Sequence, residues 1–353
     1  MAGIDTSIVV PAYNVEAFLE RFFESVLRQS YQGFRLVFID DASTDATDAY
    51  AQGLGSLLGE RFIFLQNEKR MGLSGARNRG LDWVAQHPTE YLSFLDADDW
   101  MEDTYLEDLH TRAEETAVGL CVAGVVRSDA TTGRTLVTEM HRMPRQVFQD
   151  AAACRELAFI NPCSYAKLFR FRAVRDMRFR PILRSEDTCY LFDTLPRLRS
   201  LAFTNNALYH YCVQEESLSS AVNEEVYASM HEQFASMMPL FECEPYAAYR
   251  DLFETQVFIR SSIGGVMRLS ENSVKGLNTL AREERDWLDA TMPSWRTNPY
   301  LSKTGRRLSR TGRLLSRQAA LSFAATLYKQ GLFSYLVYAY RLYQRVFKRE
   351  VRV

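Results

Sequence analysis

No two of the six cysteines form a Cys-x-x-Cys pair, and the five histidines show no zinc-ligand spacing, so a zinc site is not expected. Cys121, Cys154, Cys163, Cys189, Cys212 and Cys243 read instead as buried fillers in a reduced compartment. No run of 18 uncharged apolar residues occurs, which excludes an ordinary membrane-spanning helix. The opening Met-Ala-Gly-Ile-Asp-Thr lacks the basic and apolar regions of a signal peptide, so a cytoplasmic location is expected. There is no Gly-x-x-x-x-Gly-Lys-Ser/Thr loop, no Gly-x-Gly-x-x-Gly fingerprint, no internal repeat and no low-complexity tract.

What is present is a chain of 353 residues with 47% apolar content, enough for a large α/β domain with an appendage and a sizeable core. Its net charge of −2 hides an asymmetry. Residues 296–353 hold 13 Lys/Arg and one acid, Glu350, whereas residues 1–295 hold 29 basic and 43 acidic residues. A tail of +12 on a body of −14 points to an anionic surface as the tail's partner.

Short β-branched or apolar runs at Ser7–Val10, Phe34–Ile39, Phe62–Leu65 and Tyr91–Leu95 predict strands, the first ended by Pro11. Helical spacing over Val15–Gln29, a stretch to about Leu58 capped by Ser43 or Thr44, and Leu73–Ala85 fill the gaps. This alternation implies βαβ units, a mostly parallel sheet with helices on both faces, and ligand binding at the carboxyl ends of the strands. Further strands are expected at Leu120–Arg127, Gly133–Thr138 and Phe203–Tyr211, and a helical region from about Asn223. Arg296–Arg317 reads as a linker or a polar helix.

The chemistry-bearing residues fall at those strand ends. Asp96, Asp98 and Asp99 follow the fourth strand, and hard divalent cations prefer such oxygen ligands. The alternative is a helix N-terminus, where Asp is also favoured. Asp40, Asp41, Ser43, Thr44 and Asp45 follow the second strand. Asp41 suits a base N–H or a ribose hydroxyl, whereas Ser43 and Asp45 suit a loop and cap. Gly72, Ser74, Gly75, Arg77, Asn78, Arg79 and Gly80 open the third helix, where close backbone approach and a helix N-terminus favour anions. Arg77 or Arg79 could reach phosphate. Glu186-Asp187 could supply a general base, although spacing alone favours a surface ion pair with Arg175, Arg178, Arg180 or Arg184.

Five strings, in this order, resemble the family-2 glycosyltransferases of GT-A fold: Ser7–Asn14, Phe38–Asp45, Asn67 with Gly72–Gly80, Phe94–Trp100, and Ser185–Thr188. They cover about residues 5–220. The resemblance implies a nucleotide-sugar donor, usually a UDP-sugar, Mn²⁺ or Mg²⁺ as cofactor, and direct displacement with inversion. It carries nucleotide contacts to Pro11, Tyr13, Asn14, Asp40, Asp41, Asn67, Gly72, Ser74 and Asn78, and phosphate contact to the Arg77 region. Ribose and metal contacts fall to Asp96, Asp98 and Asp99, with Asp98 and Asp99 the better placed for metal. The catalytic base is Asp187, preceded by Glu186. Arg79 beside Asn78 departs from the family pattern and leaves open which arginine meets phosphate. His210, in Tyr209-His210-Tyr211, could approach the diphosphate or pack in a strand.

The expected division is a catalytic domain over 1–222, with a nucleotide half (1–100) and an acceptor half (101–222). A helical extension (223–295) and a basic amphipathic tail (296–353) follow. Within the tail, Leu321–Phe347 suits an interfacial helix on the inner face of the cell membrane, near a glycan or lipid-linked acceptor. Packing on the protein or on a second copy is the alternative. A sugar-phosphate nucleotidyltransferase would need a glycine-rich basic signature after the first strand, which Pro11-Ala-Tyr-Asn is not. A nucleic-acid-binding role is opposed by the −14 body.

Overall fold

The first unit is built on strands β1 (Thr6–Ala12), β2 (Phe34–Asp40), β3 (Phe62–Gln66) and β4 (Tyr91–Phe94). A computed structural model describes residues 3–214, 222–302 and 312–338, apart from the side chains of Asn272 and residues 312–317. The crossovers are helices α1 (Glu16–Leu27), α2 (Thr47–Gly55) and α3 (Gly72–Gln86). The chain continues through β5 (Trp100–Met101), α4 (Tyr105–Thr116), β6 (Leu120–Asp129), β7 (Thr135–Glu139), β8 (Lys167–Arg170), α5 (Phe171–Val174), α6 (Glu186–Leu198) and β9 (Leu201–Val213). Sheet order is β3-β2-β1-β4-β8-β6-β9-β5, with β7 pairing β6. The half from β3 to β4 is parallel throughout, as expected. Beyond β4 the sheet is mixed: β8 runs antiparallel to both β4 and β6, and β9 parallel to β6.

β1 runs through Pro11 rather than ending before it. Leu95 N donates to Val9 O and Asp41 N to Ala12 O, so odd residues of β1 face β4 and even ones face β2. Pairing with β4 ends at Val9–Phe94, hence the missing Pro11 N–H removes no ladder bond. Ala12 pairs with Asp40, and Asp40 with Gln66. That register brings the loops after β1, β2, β3 and β4 to one edge.

The core of this half is aromatic. Phe23, Phe38, Phe62 and Phe64 form one cluster at centroid distances of 5.9–6.4 Å, Phe38 stacked on Phe23 and Phe64 and Phe62 edge-on to Phe23. α3 lies directly on β1 and β2 because Gly80 has no side chain: a Cβ there would stand 2.5 Å from Val9 Cγ1 and 2.9 Å from Ile39 Cδ1.

The second unit comprises residues 155–159 and 182–185 together with the chain from 216 onward. Its described part is helical, as expected: α7 (Glu224–Met237), α8 (Arg250–Val257), a π-helical stretch Phe258–Gly265, α9 (Val266–Asn272), α10 (Leu277–Thr291) and α11 (Gly312–Lys329). Trp295 is fully buried and stacks on Phe258, which also contacts Tyr328. Glu284 is buried and accepts from Tyr227, His231 and Ser262.

The tail is partly core. Leu301 and Ala325 are fully buried, Tyr328 hydrogen-bonds to Ser262 O, and Lys329 donates to Arg296 O. Of the two expectations for the tail, packing on the protein accounts for one face, which carries buried Tyr328, Phe333 and Val337. Phe323, Leu332, Tyr335 and Tyr338 remain exposed. Residues 303–311 and 339–353, with most of the basic run, lie outside the described residues. Five cysteines are buried as expected, but Cys243 is exposed.

Candidate active site

The loop after β1 is stitched to the loop after β2. Asn14 takes a left-handed conformation (φ 51°). Its side-chain oxygen accepts from Thr44 N at 2.8 Å, and its own N–H donates to Ser43 Oγ at 3.0 Å. Ser43 and Thr44 therefore do not cap α2, since their hydroxyls are committed to Asn14. Asp45 accepts from Thr47 N and Glu16 N. Pro11 is buried in β1, and Tyr13 lies half-buried beneath the Arg70 guanidinium.

Asp40 is buried and accepts from Ser43 N and Gln66. Asp41, also buried, accepts from Asn67 Nδ2 at 2.6 Å and from Met71 N and Gly72 N at 2.8 Å each. Its carboxylate thus closes the N-terminus of α3, where unpaired N–H groups and the dipole favour negative charge. Gly72 makes the turn possible at φ +73°. Asn67 orients Asp41 and accepts from Arg79. Ser74 is buried and its hydroxyl has no partner among the described residues.

Arg77 is the centre of the site. It is 1% exposed, its Nη1 lies 2.9 Å from both Glu186 Oε1 and Asp187 Oδ1, and its Nη2 lies 3.0 Å from Asp96 Oδ1. The expected phosphate contact is corrected accordingly: a buried guanidinium enclosed by three carboxylates has no charge to spare. Asn78 is likewise committed, giving and receiving hydrogen bonds with the Phe179 backbone at 2.8 and 2.7 Å. Glu186 and Asp187 open α6. Both turn to Arg77, while of the basic neighbours Arg178 binds Asp82 and Arg180 binds Asp193. Burial, and then Asp187, push the Glu186 carboxyl up to about 7. Asp187 retains 21% exposure, and no hydrogen bond engages its Oδ2 among the described residues.

Asp99 is buried, with Oδ2 accepting from Tyr209 OH at 2.7 Å and Oδ1 from Cys212 N at 2.8 Å. Both oxygens hold the loop against β9, so Asp99 is placed as a loop anchor rather than an open ligand. Asp98 is half-exposed and accepts from Gln214 at 3.1 Å, while its backbone carbonyl accepts from Arg21. Burial and the neighbouring Asp96 push its carboxyl up to about 6. His210 stacks on Trp100 at 3.6 Å and pairs with Glu102, the packed alternative of the two expected.

Oxygen donors crowded enough to hold protons fit a hard divalent cation. No cluster of three or more His, Cys, Asp or Glu residues forms a metal cage among the described residues. Asp98 with Asp96 is nevertheless sufficient for an ion whose shell is completed by substrate phosphates. Sequence reasoning missed Tyr209 as the partner of Asp99, and also Arg21, Gln214 and Arg70. Arg21, Gln214 and Arg70 have no local signal; Tyr209 stands in the Tyr209-His210-Tyr211 string, but its pairing with Asp99 spans 110 residues of sequence.

Residues 7–178 match the family model Glycosyl transferase family 2. The chain is 25% identical to the glycosyltransferase GlyA of Streptococcus pneumoniae serotype 4 over 79% of its own length and 42% of that protein's. It is 25% identical to EpsH of Bacillus subtilis strain 168 over 98% of its own length and 97% of that protein's. The crystal structure of S. aureus TarS 1-349 in complex with UDP-GlcNAc superposes with a TM-score of 0.68 at 18% identity, covering 97% of this chain and 92% of that one. At that identity the likeness is one of fold, and it is the GT-A fold. The family match covers the nucleotide half with Asp40, Asp41, Arg77, Asp96, Asp98 and Asp99 and ends before Glu186 and Asp187; over those residues the chain is similar to glycosyl transferase family 2.

Proposed function

We propose that this glycosyltransferase moves a sugar from a UDP-sugar to a hydroxyl of a glycan or lipid-linked acceptor, with inversion, in the synthesis of a cell-surface polysaccharide or glycoconjugate. The observation that carries the reading is the Arg77 bridge, which fixes Asp187 of α6 beside Asp96 at the end of β4. The UDP-GlcNAc complex of the structurally similar TarS supports the choice of nucleotide.

Asp187 is the general base. Arg77 holds Oδ1 and leaves Oδ2 directed by that contact to take the acceptor hydroxyl's proton. The deprotonated oxygen attacks the anomeric carbon, and the bond from that carbon to the nucleoside diphosphate breaks on the opposite face. Glu186, whose buried carboxyl is pushed up to about 7, carries only part of a charge near neutral pH and so lessens the negative charge beside Asp187. Asp98, with Asp96, would hold Mn²⁺ or Mg²⁺, which when bound supplies positive charge to the diphosphate. The +12 balance of residues 296–353 and the exposed Phe323, Leu332, Tyr335 and Tyr338 support contact with the inner face of an anionic membrane.

The test is a thermal-shift series followed by turnover. UDP with Mn²⁺ should raise the melting temperature, and an oligonucleotide should not. Asp187→Asn should abolish transfer while UDP still stabilises the protein. Loss of UDP stabilisation in that variant would remove the base assignment, and full turnover in excess EDTA would remove the metal.

A further inference from the structure

We propose that Glu139, with Arg127 and Asn161, forms a subsite for the acceptor: a carboxylate-centred set that grips a neutral sugar unit through its hydroxyls and so selects which glycan is extended. This rests on the acceptor hydroxyl and the Asp187 base of the reading above. The three residues lie outside the strings that carry the family resemblance. β6 pairs with both β7 and β9. The registers Val125↔Glu139, Arg127↔Val137, Val125↔Tyr209 and Arg127↔Tyr211 put these side chains on one face of the sheet. That face begins at the catalytic loop, where Tyr209 donates to Asp99, and runs out to Glu139 and Val137 on β7. Tyr209, Tyr165 and Tyr211 stack in a row at 4.6 and 5.7 Å, and the Arg127 guanidinium ends the row 4.9 Å from the Tyr211 ring.

The polar groups at the end of the row are underused. Arg127 Nη1 lies 3.4 Å from Glu139 Oε1, beyond the roughly 2.7–2.9 Å of a charge-assisted hydrogen bond. The Arg127 side chain makes no other hydrogen bond among the described residues, although a guanidinium carries several N–H donors. Glu139 Oε2 accepts from Asn161 Nδ2 at 3.0 Å, and Arg127 and Glu139 keep 34% and 17% exposure. A sugar hydroxyl both donates and accepts, so one seated here donates to Glu139 and accepts from Arg127. The pair is neutral as a whole, which leaves no excess charge to draw a phosphate or a uronate. Val137, exposed on the same face, offers an apolar contact to the C–H side of a sugar ring. Asn161 is fixed from behind: Lys167 is wholly buried and its ammonium donates to Asn161 O at 3.0 Å. Burying an ammonium is costly, so its use here ties the loop down before any ligand arrives. Cys163 lies in the same loop. Its thiol is pushed up by burial, with Asp187 and Glu139 both adding to the push, so the general base and Glu139 share one neighbourhood.

The experiment is binding of methyl glycosides, observed by saturation-transfer NMR with UDP and Mn²⁺ present. The panel holds methyl glycosides of neutral hexoses and N-acetylhexosamines, with methyl glucuronide and glucose 1-phosphate as anionic members. A neutral glycoside should bind the wild type, and Glu139→Gln, Glu139→Ala and Arg127→Ala should each weaken it about tenfold. UDP affinity, measured by calorimetry, should stay unchanged in all three. Glu139→Gln keeps the shape of the side chain, so its result stands if either alanine variant fails to fold. Unchanged glycoside affinity in Glu139→Gln would overturn the subsite, as would an equal loss of UDP affinity. A wild type that binds only the anionic members, or none of the panel, would also overturn it. A wild type that binds no UDP would instead bring down the donor reading, and the acceptor role with it.

Discussion

Arg77→Ala should be the most costly single substitution in the first unit, and its cost should depend on pH. The wild-type guanidinium donates to Asp96, Glu186 and Asp187 at 2.9–3.0 Å with 1% exposure. Removing one partner of a buried ion pair leaves the other charge uncompensated and costs roughly 3–5 kcal/mol. Here three carboxylates are stranded together, so at pH 8 the loss should lie at or above the upper end of that range. At pH 5 Glu186 is already protonated, since burial and Asp187 push it up to about 7, and the stranded charge is smaller. The loss there should fall to roughly half. Arg77→Lys keeps the charge but not the fork, and one ammonium cannot reach both Asp96 and the α6 pair, so about 1–2 kcal/mol should be lost. Urea denaturation followed by ellipticity at the two pH values reads all of this. A cost below about 1 kcal/mol at pH 8, or one that does not change between pH 8 and pH 5, would refute the buried-bridge argument.

Glu186 provides a second test through linkage. Its folded carboxyl sits at about 7 against an ordinary 4.5, so the folded state binds more protons between those values and stability falls as pH rises through that window. The contribution is about 3 kcal/mol at most, and Glu186→Gln should flatten the melting temperature between pH 5 and pH 8. Gly80→Ala drives a Cβ into Val9 and Ile39 and should cost about 1–3 kcal/mol, measured by thermal unfolding, with a fall in kcat because α3 carries Arg77. Asp98→Asn should abolish the extra stabilisation that Mn²⁺ adds to UDP in a thermal shift while leaving the unliganded melting temperature unchanged or raised, since it removes a crowded charge.

The nucleotide half was the most legible part of the molecule. Its strands are short apolar runs separated by amphipathic helices, so hydrophobic period alone located β1 to β4 within about two residues. In the acceptor half β6, β7 and β9 were legible too, but β8, four residues long, and β5, only two, were not. Segments that short carry no period, and their pairing with distant strands is decided by the folded sheet. Pro11 misled because a proline ends a strand only where its N–H is needed, and the register with β4 determines that.

The site divides in the same way. Residue type and order along the chain put Asp41, Asp96 and Asp98 at one edge of the sheet, because charged groups following buried strands in an α/β sheet are placed there; Asp187 opens a helix and meets Asp96 only through Arg77. Which of these groups stay open to a ligand is a tertiary property, since it depends on hydrogen-bond partners remote in sequence. Arg77 looked like a phosphate ligand until three carboxylates from β4 and α6 were seen to consume its charge. Asp99 looked equal to Asp98 until Tyr209 and the Cys212 backbone took both its oxygens. The tail follows suit: composition made it basic and aromatic, but packing against Ser262 and Phe258 decided that Tyr328 belongs to a core. Sequence by itself therefore determined the resemblance to glycosyl transferase family 2, the strand-edge location and the chemical inventory of the candidate site. The tertiary structure alone decided how that inventory is shared out, because a buried polar group must find a partner, and the partner comes from wherever the fold brings one.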